Sequence, residues 1–330
     1  MPNPVPLVDS FGRVHRDLRI SITDRCNFRC QYCMPAEGMV WQPRDELLTF
    51  EEIERVVHIA VSRFGVDSVR ITGGEPTVRA HLPVLVERLS RLGVDLAMTT
   101  NGATMGLLAN DLAAAGLGRV NISLDSLQPE RFASITRRDG LDQVIAGIDA
   151  SVRAGMQPVK VNMVVMRGVN DDEVVDMATF GREHGVVIRY IEFMPLDAQG
   201  DWERADVVDA ASIVAAVNEV YPLIEVPRTT AAPAQRWDFA DGAGHIGVIP
   251  TVTQSFCSTC DRVRLTADGQ FRTCLFAHDD HDLRALLRGG ATDDDLAGVM
   301  AAAVGNKWAG HQIGQVHFIR PSRSMSQIGG

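Results

Sequence analysis

Short runs in which apolar and polar residues alternate one for one recur along the first two-thirds of the chain. Between them lie longer stretches whose apolar residues return every three or four positions. The first pattern marks a half-buried strand and the second an amphipathic helix. It predicts strands at 17–23, 68–72, 94–99, 119–124, 158–165 and 186–193, and helices at 81–92, 107–115, 141–154, 171–184 and 209–221. A further helix opens at Thr49, where Thr49 and Glu52 form a capping-box pattern ahead of Ile53, Val56, Val57 and Ala60. Strand–helix units in series predict a parallel sheet with right-handed crossovers, either doubly wound or barrel-like.

The two faces of the strands separate these architectures. Leu18, Ile20 and Ile22 share one face, while Arg19, Ser21 and Thr23 share the other. Val69 and Ile71 oppose Arg70 and Thr72, Val120 and Ile122 oppose Asn121 and Ser123, and Val159 and Val161 oppose Lys160 and Asn162. Strands buried between two helical layers would read as nearly continuous Val, Ile and Leu. A face that stays polar on strand after strand suits an open or partial barrel with a hydrophilic lumen. Past about residue 196 the alternation fades. Residues 226–233 read as a connection, residues 237–253 as a hairpin turning near Asp241-Gly242, and residues 263–271 as a second turn region at Asp268-Gly269. Short helices near 282–287 and 294–304 precede a Gly/Ser-rich tail. The expected division is 1–225 and 226–330.

Composition narrows the function classes. Lys and Arg number 32 against 42 Asp and Glu, a net charge of -10. Such a field repels nucleic acid and anionic membrane but leaves a small polyanion open, given a local cationic cluster. No apolar run approaches the roughly 18 residues of a membrane span, and Met1-Pro2-Asn3-Pro4 lacks the start of a signal peptide. The expected compartment is the cytoplasm. Thiols stay reduced there, so the six cysteines point to metal ligation or catalysis before disulfides.

The cysteines form two triads. Cys26-x3-Cys30-x2-Cys33 follows the first strand directly. Three thiolates so close can hold three irons of a [4Fe–4S] cluster and leave the fourth open. No His in the loop completes a zinc site. Cys257-x2-Cys260-x13-Cys274 has His278 four residues beyond its last cysteine, so spacing alone leaves zinc and iron–sulfur equally open.

The first triad, with Tyr32 inside it, resembles the SAM-binding cluster motif of the radical SAM (S-adenosylmethionine) superfamily, and Gly73-Gly74-Glu75-Pro76 resembles that superfamily's motif for the SAM amino group. With the second triad, the segment 17–27, Thr99-Thr100-Asn101-Gly102 and the Gly329-Gly330 terminus, the chain resembles the GTP 3′,8-cyclase family, also called molybdenum cofactor biosynthesis protein A, from about Gly12 onward. The resemblance implies an α/β fold: an incomplete (β/α)6 TIM-like barrel of the radical SAM type, with a C-terminal α+β cap carrying a second [4Fe–4S] cluster. It implies reductive cleavage of SAM to a 5′-deoxyadenosyl radical, hydrogen abstraction from C3′ of GTP, and closure onto C8 to give (8S)-3′,8-cyclo-7,8-dihydro-GTP, a lyase reaction of molybdenum cofactor biosynthesis. Partners implied are GTP, an electron donor, a second copy in a homodimer, and the next pathway enzyme, cyclic pyranopterin monophosphate synthase.

Site roles follow from the same resemblance. Cys26, Cys30, Cys33, Cys257, Cys260 and Cys274 would ligate the clusters. Tyr32, Gly74, Ser123 and Met194 would contact SAM. Arg70, Thr99, Lys160 and the segment Arg262-Val263-Arg264 would face GTP, and Arg19, Arg262 and Arg264 would serve catalysis after hydrogen abstraction. Taken singly, several have plainer readings: a strand Lys such as Lys160 is more often a snorkelling surface residue, and Met194 is more often core filler. Two rivals stay open. One is a radical SAM enzyme whose auxiliary cluster acts on a peptide; the other is a non-catalytic iron–sulfur or zinc protein.

Overall fold

The computed structural model describes residues 4–196, 200–313, 315, 318–321 and 323–329. Six parallel strands form its centre: β1 (Asp17–Ser21), β2 (Ser68–Thr72), β3 (Asp95–Thr100), β4 (Arg119–Ser123), β5 (Val159–Val165) and β6 (Val187–Glu192). Helices cross between them in sequence order, as parallel neighbours require. The apolar face of each strand packs on those helices: Leu18, Ile20, Ile71, Met98, Ile122, Val161, Met163, Ile188 and Tyr190 belong to one core. The helix Phe50–Phe64 begins in the full capping box of Thr49 and Glu52 and stops at Gly65, whose φ of 69° suits a residue without Cβ.

The rest of the chain extends this sheet on both sides. Beyond β6 come β7 (Leu223–Val226), β8 (Gln235–Phe239) and β9 (His245–Ile249); beyond β1 come β10 (Arg262–Leu265), β11 (Gln270–Arg272) and β12 (His281–Asp282). The full order is β12-β11-β10-β1-β2-β3-β4-β5-β6-β9-β8-β7, with β9 and β10 parallel to their inner neighbours and the remaining additions antiparallel. Both hairpin turns lie where expected, with Gly242 at φ 78° and Gly269 at φ 82°. The helix Pro129–Thr136, the strands β7 and β12 and the four-residue helix Met325–Ile328 are additions to the sequence reading. No helix among the described residues is long and apolar enough to cross a membrane.

Candidate active site

Register decides which side chains meet on the inner face. Arg264 of β10 lies beside Arg19 of β1, and Arg19 beside Arg70 of β2. Further round, Thr99 pairs with Asn121, Asn121 with Lys160, and Asn162 with Arg189. With its amide oxygen turned toward the cations, Asn121 accepts from Arg70 Nη1 at 2.7 Å and Arg189 Nη2 at 3.2 Å, and Arg189 Nε donates to Asn162 Oδ1 at 2.9 Å. Arg189 was not among the residues singled out from the sequence. Its signal was the same alternation, since Ile188 and Tyr190 face the helices.

Crowding these cations away from water weakens their hold on protons. Burial, then the Arg70 charge, brings Arg189 down to about 9. Burial and Arg19 lower Arg70 to about 10 and push Arg264 down as well, and burial with Arg189 lowers Lys160 to about 8. Arg19 Nε, Arg70 Nε and Arg262 Nε and Nη2 are buried donors that hydrogen-bond to nothing among the described residues. Like charges desolvated together, with donors unspent, fit a polyanionic ligand.

All six cysteines border one cavity of about 290 Å³, and none is in a disulfide. The first triad is held from several directions. Arg137 Nη1 donates to the carbonyls of Arg29 (3.1 Å) and Met34 (3.0 Å), and Asn101 Nδ2 donates to Asn27 Oδ1 at 2.8 Å and reaches Cys26 Sγ at 3.8 Å. Burial, then the other groups of the loop and Glu75, push the thiols up, Cys26 to about 11 and Cys33 to about 12. Deprotonated thiolates there need a cation, and metal ligation supplies one.

Gly73 and Gly74 run against that loop so closely that side chains do not fit. A Cβ on Gly73 would lie 2.6 Å from the Thr23 carbonyl oxygen, and one on Gly74 2.5 Å from that of Arg25. Glu75, fully buried, accepts from Thr100 Oγ1 and the Asn101 N–H at 2.6 Å each, which ties the ends of β2 and β3 together. Tyr32 donates to Asp125 Oδ2 at 2.6 Å, and burial raises Asp125 to about 6.

The second triad is set by different contacts. Glu192, at the end of β6, accepts from the N–H groups of Val252 (2.7 Å) and Thr253 (2.8 Å), fixing the chain that leads to Cys257. Arg262 lies over the Phe256 ring, 4.7 Å from its centre. Burial pushes the Cys257 thiol up, but hydrogen bonding to His311 and Ser255 outweighs it, leaving about 7. His311 borders the cavity beside this triad; it too escaped the sequence reading, because nothing local marks its fold partner. Among the described residues no group of three His, Cys, Asp or Glu is arranged to hold a single metal ion, whereas a cubane takes each thiolate on a different iron.

Of the residues marked in the sequence, Arg19, Tyr32, Gly74, Thr99, Ser123, Met194, Arg262 and Arg264 border the cavity. Arg70 and Lys160 belong to the same inner row through Asn121. Val263 differs. Its side chain alternates to the opposite face and is fully buried in the core. The C-terminal tail enters the chamber: Arg264 Nη1 donates to the Gly329 carbonyl, and a Cβ on Gly329 would lie 3.1 Å from that of Ser21. Gly330 is outside the described residues.

The Radical SAM superfamily model matches residues 20–181, and the Molybdenum Cofactor Synthesis C model matches residues 186–313. A GTP 3′,8-cyclase of Mycobacterium sp. (strain KMS) is 49% identical over 334 residues, 100% of this chain and 95% of that protein. One from Streptomyces coelicolor is 47% identical over 328 residues, 98% and 96% of the two chains. The crystal structure of Streptococcus suis SuiB bound to S-adenosylmethionine superposes with a TM-score of 0.59 at 14% identity, covering 87% of this chain and 68% of that one, a likeness of fold. Radical SAM membership carries a [4Fe–4S] cluster and SAM with it, and the Cys26, Cys30 and Cys33 loop has the donor set for that cluster. The chain is a radical SAM enzyme and belongs to the GTP 3′,8-cyclase family.

Proposed function

We propose that the protein converts GTP to (8S)-3′,8-cyclo-7,8-dihydro-GTP, a lyase reaction of molybdenum cofactor biosynthesis, in the cytoplasm. The observation that carries this reading is one chamber bordered by both Cys triads and by Arg19, Arg262 and Arg264. Cys26, Cys30 and Cys33 hold the SAM-binding cluster; Cys257, Cys260 and Cys274 hold a second [4Fe–4S] cluster on the substrate side. When bound, the first cluster and SAM supply a one-electron cleavage that ends as 5′-deoxyadenosine carrying a hydrogen taken from C3′ of the substrate.

The remaining work belongs to the chain. Tyr32, Gly74, Ser123 and Met194 hold SAM, and the close fit of Gly74 to the cluster loop keeps its backbone within reach of the cluster's ligands. Arg70, Lys160 and Arg189 receive the triphosphate, whose charge relieves their mutual repulsion. Thr99 contributes a hydroxyl to the substrate. Arg19, Arg262 and Arg264 hold positive potential where an electron must arrive after ring closure, and their fixed positions cost no reorganisation at that moment. Val263 contributes through its main chain only, its side chain being spent in the core. Phe28, Leu196, Ile249 and Phe256 line the chamber as well and exclude water from reactive carbon centres.

Residues 1–225 form the radical SAM part with the first cluster, and 226–330 the cap with the second cluster and the Gly-Gly tail. A homodimer, an electron donor and hand-off to cyclic pyranopterin monophosphate synthase complete the reading. Reconstituted protein incubated without oxygen with dithionite, SAM and GTP is expected to form 5′-deoxyadenosine and a cyclised nucleotide in equal amounts. Cleavage of SAM with GTP unchanged would remove the cyclase assignment.

A further inference from the structure

Lys307 stands just past the helix Asp293–Gly305 and is only 4% exposed. Its Nζ donates to the Arg262 carbonyl at 2.7 Å and reaches Cys260 Sγ at 3.6 Å. The neighbours able to carry negative charge are the thiols of Cys260 and Cys274; Arg13 and Arg262 are its cationic neighbours. An ammonium buried among other cations costs several kcal/mol in desolvation unless negative charge meets it.

The N-terminal arm fixes this lysine relative to the triad. A bridge between Val8 and Val14 folds the arm back on itself. Arg13, anchored by Asp9 Oδ2 at 2.5 Å, donates from Nη1 to the carbonyls of Cys257 and Ala309, each at 2.7 Å, and from Nη2 to that of Trp308 at 2.6 Å. One guanidinium thus joins the first cysteine of the triad to the segment that follows Lys307. The Arg262 carbonyl gives that ammonium one partner, and the Cys260 sulfur gives it a second.

We propose that Lys307 is a positioning residue for the second cluster, placing a positive charge and a hydrogen bond at the Cys260 sulfur so that the cluster accepts an electron more readily. The inference rests on the two-cluster reading above. Hydrogen bonds to sulfur and local net charge are among the terms that set the potential of an iron–sulfur centre. Each electron added to the cluster brings a negative charge, and Lys307 lowers its cost.

The test uses the full chain with Cys26, Cys30 and Cys33 replaced by Ala, so that the second cluster alone gives the signal, at about four irons per chain. Redox titration followed by EPR then compares Lys307→Met and Lys307→Arg in that background. At a fixed potential Lys307→Met is expected to lower the ratio of reduced to oxidised cluster about tenfold, about 59 mV for one electron. Lys307→Arg, which keeps the charge, is expected to stay near the parent. Loss of iron in Lys307→Met with retention in Lys307→Arg marks the lysine as a structural support of the triad and overturns the tuning role. An unchanged potential in Lys307→Met, or an Arg variant as impaired as the Met variant, overturns it. A background protein without iron would instead overturn the second cluster itself, and this role with it.

Discussion

Lys160 shows how far a single residue can be read. From sequence it has the plain look of a strand lysine, and only the polar-face alternation and the family resemblance mark it. In the fold it shares an inner row with Asn121, and burial with Arg189 brings it to about 8. In the proposed role the ammonium form binds the triphosphate, and the population of that form falls as pH rises through about 8. The GTP kcat/KM of the wild type is therefore expected to decline above that pH. Lys160→Met should remove this alkaline limb and, by losing a charge-assisted hydrogen bond of about 1.5–3 kcal/mol, reduce kcat/KM roughly ten- to hundredfold with a smaller effect on kcat. A pH profile of initial rates checks both; an alkaline limb that persists in the variant would assign it to another group. Arg189 carried the same strand signal but was passed over, and the amide of Asn121 that joins it to Arg70 is a contact through space that no local pattern encodes. Val263 marks the converse limit: a motif names three consecutive residues, whereas a strand can turn only alternate ones to the cavity.

Among the elements, the central strands and most helices were legible because each repeats a period long enough to count. The added elements lack that length or contrast, and β12 has only two residues. Pro129–Thr136 has eight residues, β7 has four and Met325–Ile328 has four. The last is held by tertiary contacts. Arg323 donates to Asp268 at 3.1 and 2.9 Å and to Asp280 at 2.7 Å, setting the tail on the β10–β11 hairpin. Gly329 then adopts φ 84° against Ser21 and Thr72. A non-glycine residue is rare at φ 84° and ψ 104° and costs roughly 1–3 kcal/mol there, and an added methyl also meets the Thr72 hydroxyl. Both Arg323→Ala and Gly329→Ala are expected to retain iron and SAM binding yet form cyclised nucleotide at least tenfold more slowly. Iron analysis beside product quantification separates that outcome from general unfolding, in which both fall together.

For the whole molecule, composition and placement point in opposite directions. The chain carries a net charge of -10, but its lumen concentrates Arg19, Arg70, Lys160, Arg189, Arg262 and Arg264. A net negative charge disfavours extended polyanions and says nothing of a buried cationic row. The strand pattern gave the hydrophilic lumen, yet that the last hundred residues would add strands to both ends of one sheet was not legible. Those pairings join positions far apart in sequence, such as Arg19 with Arg264. Their effect is to bring the two triads to a single chamber, and the account depends on SAM and GTP meeting there. The most direct test is turnover with GTP carrying deuterium at C3′, followed by mass spectrometry of the 5′-deoxyadenosine. A shared chamber predicts one deuterium in 5′-deoxyadenosine formed together with cyclised nucleotide; unlabelled 5′-deoxyadenosine throughout would contradict it.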